Sequence, residues 1–241
     1  MNISLILKTI FLVMGLHTIK INAAADVLFD PAKVYASQEV WSDDTGFEIY
    51  ALKGYQARIH VKALAALRIA AFAHFPYLYA GTEAYEKEYL ETYFDSLQSV
   101  IYIGFHAGKI VAFSNLMPLC EMPLEIISPF FENDIDVANI LYLGEAILAP
   151  EYQHKKPGFI RAMLKIQEEH ARKKNYNQIV FMSVIRPDNH PLKPANYMPL
   201  DGMFTKFGFN RYEDMFIEMA WTQIDTKIEM DNILSIWYKN L

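Results

Sequence analysis

The segment that most constrains this chain spans residues 140–174, where an apolar strand leads through a basic loop into an amphipathic helix. It consists of ILYLGEAIL, then APEYQHKKPG, then FIRAMLKIQEEHARKK. A helix that starts soon after a strand directs its unpaired first-turn N–H groups, and the positive end of its dipole, at whatever lies beyond the strand. Lys155 and Lys156 add full charges at the same place. The pattern therefore predicts a binding site for a phosphate-bearing ligand.

The strand within this segment carries one carboxylate, Glu145. Strict alternation would place Glu145 on the same face as Leu141, Leu143 and Ile147. Apolar surroundings raise the pKa of a carboxyl toward neutrality, which suits a general base. The same residues also allow a structural role, in which a buried glutamate bonds a backbone N–H or a cation.

The composition describes a folded domain with an acidic surface. Of the 241 residues, 53% are apolar and 21% are charged, enough for a substantial core, and the formal charge of −6 argues against general binding of nucleic acid. The single cysteine, Cys120, excludes an internal disulfide and is expected to be a buried small hydrophobe. Neither a phosphate-loop motif nor a dinucleotide-binding glycine motif occurs, and the histidines lie at no metal-binding spacing, so no metal is expected.

The N-terminus has the layout of a signal peptide. MNISLILK precedes an apolar run, which is followed by an Ala-Ala-Ala site. We expect residues 1–25 to be removed, the product to be periplasmic or secreted, and no stable membrane insertion to remain; the alternative is a cytoplasmic protein with an N-terminal extension. Residues 26–46 are expected to be an irregular lead-in, and residues 47–241 to form one domain with a C-terminal extension from about residue 222.

Hydrophobic periodicity gives the order of elements in the domain. A strand at 47–54 precedes two helices, at 59–72 and from the cap Thr82 onward, then a hairpin at 99–117. Residues 118–139 contain three prolines and are expected to form a long loop with one helical turn. The strand and helix of the opening segment follow, then a strand at 178–185, a short helix at 202–209 and a strand at 212–221. This order predicts an α/β fold, a mixed central sheet with helices on both faces.

Several motifs resemble those of the GNAT superfamily of acyl-CoA-dependent N-acyltransferases, over roughly residues 47–221. YQHKKPG (152–158) lies where that family carries a glycine-containing loop before a helix, MFTKFGF (203–209) is similar to its C-terminal Leu-Tyr-x-Lys-x-Gly-Phe element, and VAFSNL (111–116) matches its preceding hairpin. A closer resemblance, to an uncharacterised bacterial subgroup, rests on FPYLYAG, Gly144-Glu145 and RPDNHPLKPANYMPLD. The resemblance implies a GNAT-like fold and transfer of an acetyl group from acetyl-CoA to an amine of a small molecule or peptide, by a monomer or homodimer without a metal.

The resemblance also implies residues for the acyl-CoA site. These are Ile147, Leu148, Gln153, His154, Lys155, Lys156, Gly158 and Phe159. The loop departs from the family pattern, because Lys156 replaces the first glycine and Pro157 lacks a backbone donor. These changes would weaken or abolish cofactor binding unless the added lysine charge offsets them.

The acid and the acceptor pocket are less closely defined. Many relatives use a tyrosine as the general acid at the position held here by Phe204, so Tyr197 and His190 are the nearest alternatives, each of which could instead be a packing or turn residue. The residues expected to form the acceptor pocket, or else a corner of the core, are Phe75, Tyr77, Tyr79 and Tyr85. A second hypothesis follows from the altered loop, from Phe204 and from the export signal: a non-catalytic protein with this fold that binds a small ligand or a protein.

Overall fold

A computed structural model describes residues 30–153 and 158–241 of the chain. Its centre is a mixed sheet of eight strands in the order β1-β2-β3-β4-β5-β6-β8-β7. All neighbouring strands are antiparallel except β5 and β6, which are parallel. The strands are β1 (Glu39–Ser42), β2 (Phe47–Lys53), β3 (Val100–His106), β4 (Lys109–Pro118), β5 (Ile140–Leu148), β6 (Gln178–Val184), β7 (Asn210–Thr222) and β8 (Glu229–Asn240).

Helices cover both faces of this sheet, as the element order predicted. The helices are α1 (Pro31–Tyr35), α2 (Gly54–Ala57), α3 (Val61–Phe72), α4 (Glu83–Asp95), α5 (Leu124–Glu132), α6 (Phe159–Lys173) and α7 (Asp201–Lys206). Apolar residues of α3, α4 and α5 share one buried cluster with the sheet, and those of α6 and α7 share a second cluster on the opposite face. We call these the α3–α5 face and the α6–α7 face.

The elements with strong local signals lie where the sequence predicts them. The predicted strand at 140–148 is β5, and the hairpin is β3 and β4. Helix α4 begins after Thr82, whose side chain caps the backbone N–H of Tyr85. Gly208 ends α7 with a φ of +85°, a left-handed conformation that glycine adopts without steric cost.

Several segments differ from the sequence-based expectation. The lead-in contains β1, which pairs with β2 at the sheet edge, and α5 occupies nine residues of the segment expected to be mostly loop. Helix α5 forms despite Pro129 because it buries Ile126, Ile127 and Phe130 against the sheet. Residues beyond about 222 form β8, which lies between β6 and β7 in the sheet.

Cys120 is exposed, so the expectation that it is buried is wrong; it follows the buried Leu119 in a short turn after β4. Within residues 30–153 and 158–241, no helix has the length and apolar character needed to cross a bilayer. The expected signal peptide at 1–25 lies outside the described residues.

Candidate active site

The parallel strands β5 and β6 separate soon after they begin. Their ladder joins Ile140 to Gln178, Leu141 to Ile179 and Tyr142 to Val180, and it ends there. The second half of β5 therefore keeps β4 as its neighbour on one side, and on its other side no strand of the described residues pairs with it; we call this unpaired edge the gap.

Backbone alternation along β5 shows which residues face this gap. The N–H of Ala149 donates to the Val111 carbonyl of β4 at 2.7 Å, and the N–H of Glu145 donates to the Asn115 side chain at 3.2 Å. Residues 145, 147 and 149 therefore direct their backbone groups toward β4, and Ala146 and Leu148 direct theirs toward the gap. Of the two β5 residues expected to bind the cofactor, Leu148 faces the gap through its backbone, whereas Ile147 faces β4. Ala146 was missed because its side chain carries no chemical signal.

A β-bulge at Gly144 sets the direction of Glu145. The β4–β5 register pairs Asn115 with Glu145 and Leu116 with Leu143, which leaves Gly144 as the extra residue. Leu141 and Leu143 lie on the α6–α7 face, but Ile147 lies on the α3–α5 face. The predicted common face for Glu145, Leu141 and Leu143 is therefore wrong, because the extra residue reverses the alternation, and Glu145 points to the α3–α5 face with Ile147.

Glu145 lies in a charged cluster rather than in apolar surroundings. Arg68 of α3 forms ion pairs with both Glu145 and Glu86 of α4, and all three side chains are at most 1% exposed. The Asn115 amide donates to Glu145 Oε1 at 2.6 Å. The expectation of an apolar environment is therefore wrong, and the geometry is the cation-bonded alternative. We call Arg68, Glu86 and Glu145 the buried charge cluster.

Tyrosines surround the buried charge cluster on the α3–α5 face. The Arg68 guanidinium lies 3.8 Å from the ring centroid of Tyr89, whose hydroxyl is 3.0 Å from that of Tyr93. Burial raises the pKa of Tyr79 and a hydrogen bond to Glu86 adds to this rise; burial likewise raises the pKa of Tyr85. These tyrosines therefore keep their protons at neutral pH.

The four residues expected to form the acceptor pocket do not all lie together. Tyr79 and Tyr85, with ring centroids 6.3 Å apart, lie beside the buried charge cluster. Tyr77 is fully buried against Phe72, and its carbonyl accepts hydrogen bonds from Arg186 and Trp221, which matches the core alternative.

Phe75 belongs to a second aromatic group with the two expected acid residues. Its ring centroid is 4.6 Å from that of Tyr197 and 5.5 Å from that of His190. Burial, helped by Asp201, raises the pKa of Tyr197 to about 12. The structure thus brings Tyr197 and His190 together, but among the contacts found in the described residues none joins them to Glu145.

The loop expected to bind phosphates is only partly described. His154, Lys155, Lys156 and Pro157 lie outside the described residues. Gly158 is the exposed N-cap of α6, Phe159 is its buried first residue, and the Gln153 amide donates to the Leu148 carbonyl at 3.3 Å. The Phe159 ring packs on Trp41 and Phe47 at centroid distances of 5.6 and 5.7 Å, which fixes the start of α6 against the sheet.

Other polar residues hold the bulge in place and were missed by sequence reasoning. Ser114 donates to the Glu145 carbonyl, and the Gln167 amide of α6 donates to Ser114 at 2.6 Å. Arg68 is the one missed residue with a visible signal, because it is the only arginine in the otherwise apolar stretch ALAALRIAAF. Phe204, which the sequence resemblance aligns with a general acid, is buried with its ring centroid 4.8 Å from that of Phe181. No group of three His, Cys, Asp or Glu side chains suited to a metal ion occurs in the described parts of the chain.

Comparison with known proteins identifies the fold of this chain. No protein-family model matches the sequence, and the curated proteins give no match. A probable acetyltransferase of the GNAT family from Chromobacterium violaceum matches with a TM-score of 0.51 at 11% identity, over 84% of this chain and 91% of that one. The ribosomal-protein-alanine N-acetyltransferase of Brucella melitensis matches with a TM-score of 0.52 at 14% identity, over 80% and 99% of the two chains. The chain therefore has the GNAT fold, and the structural neighbours named here are a probable acetyltransferase and an N-acetyltransferase.

Proposed function

We propose that this protein is an acyl-CoA-dependent N-acyltransferase that moves an acetyl group to an amine of a small molecule or peptide. The observation that carries the proposal is the gap between β5 and β6, which opens beside the bulge that holds Glu145. The N-acetyltransferase activity named for the Brucella structural neighbour supports the same class of reaction.

The residues around the gap fit an acyl-CoA substrate. The backbone N–H and C=O groups of Ala146, and the N–H of Leu148, face the gap and can hydrogen-bond an extended amide-containing chain as a neighbouring strand would. At the far end of β5, the start of α6 at Gly158 and Phe159 offers backbone donors to a diphosphate, with His154, Lys155 and Lys156 as the adjoining basic residues.

In this proposal Glu145 is the general base. Its carboxylate removes a proton from the acceptor nitrogen, directly or through water, while the Asn115 amide fixes its orientation at 2.6 Å. The nitrogen then forms a bond to the acyl carbon, and the C–S bond breaks. We propose that Tyr197 or His190 gives the leaving thiolate its proton. Which of the two acts depends on the side of the Phe75 ring on which the sulfur leaves.

A second function has one specific observation in its favour. Phe204 is a buried phenyl ring where many relatives place a proton-donating tyrosine, which fits a non-catalytic protein that binds a small ligand or a protein partner. The N-terminal sequence adds weight, since a protein exported from the cytoplasm would leave the compartment that holds acyl-CoA. We propose export by cleavage after Ala25, which N-terminal sequencing of the secreted or periplasmic protein would test.

Calorimetric titration of the full chain with acetyl-CoA and with CoA, at low salt, tests the main proposal. Micromolar binding, followed by release of free thiol when amines are added, is the expected result. Binding without thiol release from any amine would favour the non-catalytic function. Failure of both compounds to bind would refute the acyltransferase.

A further inference from the structure

Side chains of β4 hold the backbone of Glu145 at the bulge. The N–H of Glu145 donates to Asn115 Oδ1 at 3.2 Å, and its carbonyl accepts a hydrogen bond from the Ser114 hydroxyl. The Asn115 amide also donates to the Glu145 carboxylate at 2.6 Å, so one side chain bonds both the main chain and the carboxylate of this residue. All three side chains are fully buried, and water therefore does not compete for these bonds.

The two β4 side chains reach Glu145 from opposite faces of the sheet. Successive side chains of a strand alternate, so Asn115 lies with the Glu145 carboxylate on the α3–α5 face, and Ser114 lies on the α6–α7 face. There the Gln167 amide of α6 donates to the Ser114 hydroxyl at 2.6 Å. Helix α6 is therefore linked to the Glu145 main chain from the face opposite the carboxylate, through a single hydroxyl.

Gln167 determines where the Ser114 proton points. A serine hydroxyl has one proton and two lone pairs, and it rotates to suit its partners. Because Gln167 donates to Ser114 Oγ, the Ser114 proton is directed at the Glu145 carbonyl. Without the Gln167 donor the hydroxyl is free to turn to another acceptor, and the Glu145 carbonyl then loses its fixed partner.

Packing alone does not explain a glutamine at position 167. The side chain is 1% exposed, and its Oε1 has no hydrogen-bond partner among the described residues. An unsatisfied buried amide oxygen destabilises a fold, whereas a methionine of similar length leaves no polar atom without a partner. A locally unfavourable residue in a buried position is expected where it serves function.

We propose that Gln167 is a positioning residue for the acyl transfer. Through Ser114 it fixes the main chain at the bulge and hence the position of the Glu145 carboxylate. The inference rests on the proposed function, in which Glu145 is the general base. Gln167 also lies about two turns after Phe159 on the helix whose start is the proposed diphosphate site. One helix thus sets the positions of both the phosphates and the base.

Steady-state release of thiol from acetyl-CoA, with methylamine, benzylamine and 1,4-diaminobutane as acceptors, tests this role. Gln167→Met removes the donor at similar volume and should lower kcat roughly tenfold, because the base is misplaced, while KM for acetyl-CoA stays within about twofold. The melting temperature should not fall, since the variant also removes the unpartnered Oε1, whereas loss of a purely structural residue would lower it. The control Glu169→Gln, whose side chain is 65% exposed on the same helix, should leave kcat and KM unchanged.

Ser114→Ala shows whether Gln167 acts through Ser114. This variant should lower kcat by a similar factor, and adding Gln167→Met to it should cause no further loss, because the link is already broken. Losses that multiply in the double variant, or full turnover in either single variant, overturn the inference. Ser114→Ala removes only one oxygen atom, so the test remains decisive if Gln167→Met folds poorly.

Hydrogen exchange of the Glu145 backbone amide, measured by NMR, distinguishes this inference from the proposed function. In Gln167→Met this amide should exchange about tenfold faster, while the amide of Val180 in β6 should be unchanged. Unchanged exchange at Glu145 overturns the inference whatever the turnover. Faster exchange, in a protein that releases no thiol with any of the three amines, counts against the transferase alone and supports the control of Glu145 by Gln167.

Discussion

Replacing Arg68 with methionine should destabilise the protein strongly, because it leaves two buried carboxylates without their cation. Methionine keeps much of the unbranched apolar stem beside Tyr89 and Phe72, so the change removes charge more than volume. Burial alone would lower the pKa of Arg68, but the attraction of Glu86 outweighs it and the pKa is raised above its ordinary value. The guanidinium is therefore charged throughout the accessible pH range.

The size of the effect follows from the two ion pairs that Arg68 makes. Removing one partner of a buried ion pair costs about 3–5 kcal/mol, and here one substitution strands both carboxylates. For a domain of this size each kcal/mol lowers the melting temperature by about 2–4 °C, so we expect a decrease of roughly 6–20 °C. Urea unfolding at pH 7, followed by the fluorescence of the buried Trp221 and Trp237, measures the free energy of unfolding directly.

Neutral partners provide the control for this experiment. In a background of Glu86→Gln and Glu145→Gln no carboxylate remains in the buried charge cluster, so Arg68→Met should recover most of the lost stability in the triple variant. The deficit of the single variant should also shrink at acidic pH, where stranded carboxylates can take up protons. A cost below about 1 kcal/mol for the single variant, or a triple variant as unstable as the single one, would refute the electrostatic reasoning.

Four further predictions follow from the same structure. Glu145→Gln should lower turnover by about 10²–10⁴ while acetyl-CoA affinity stays the same, and unchanged steady-state turnover would remove Glu145 from the chemistry. Changing Lys155 and Lys156 to alanine should weaken CoA binding, more at low than at high salt. If calorimetry gives the double variant the same affinity for CoA as the unmodified protein, the phosphates of CoA bind elsewhere. In Gly144→Ala the new β-carbon would overlap the side-chain amide of Asn115, so the free energy of unfolding in urea should fall by about 1–3 kcal/mol. An unchanged free energy of unfolding would contradict the close packing at the bulge. Burial and nearby lysines lower the pKa of His170 from 6.5 to about 4, so the free energy of unfolding should be greatest above pH 6.5 and fall as the pH drops toward 4. His170→Gln should flatten the dependence of stability on pH between these values. An unchanged dependence in that variant would show that His170 is not its source.

Local patterns predicted the elements that depend on neighbouring residues. The bounds of β5, the β3–β4 hairpin and the Thr82 cap of α4 follow from alternation, turn residues and capping chemistry within a few positions of each other. The resemblance drawn from three short motifs also led to the GNAT fold that the structural neighbours share. By contrast, α5 was expected to be mostly loop, because its stability comes from burial against the sheet rather than from its proline-containing sequence.

The sequence by itself determined the order of elements, the mixed sheet and the place of Glu145 on its strand. Only the tertiary structure decided what Glu145 contacts, because one bulge residue at Gly144 reverses the face of every side chain after it. It likewise decided that Arg68, Glu86 and Glu145, which are far apart along the chain, form one buried cluster with an unbalanced charge. Local periodicity carries no information about such pairings, since they are fixed by the packing of α3 and α4 on β5 and by the energetic need to match buried charges.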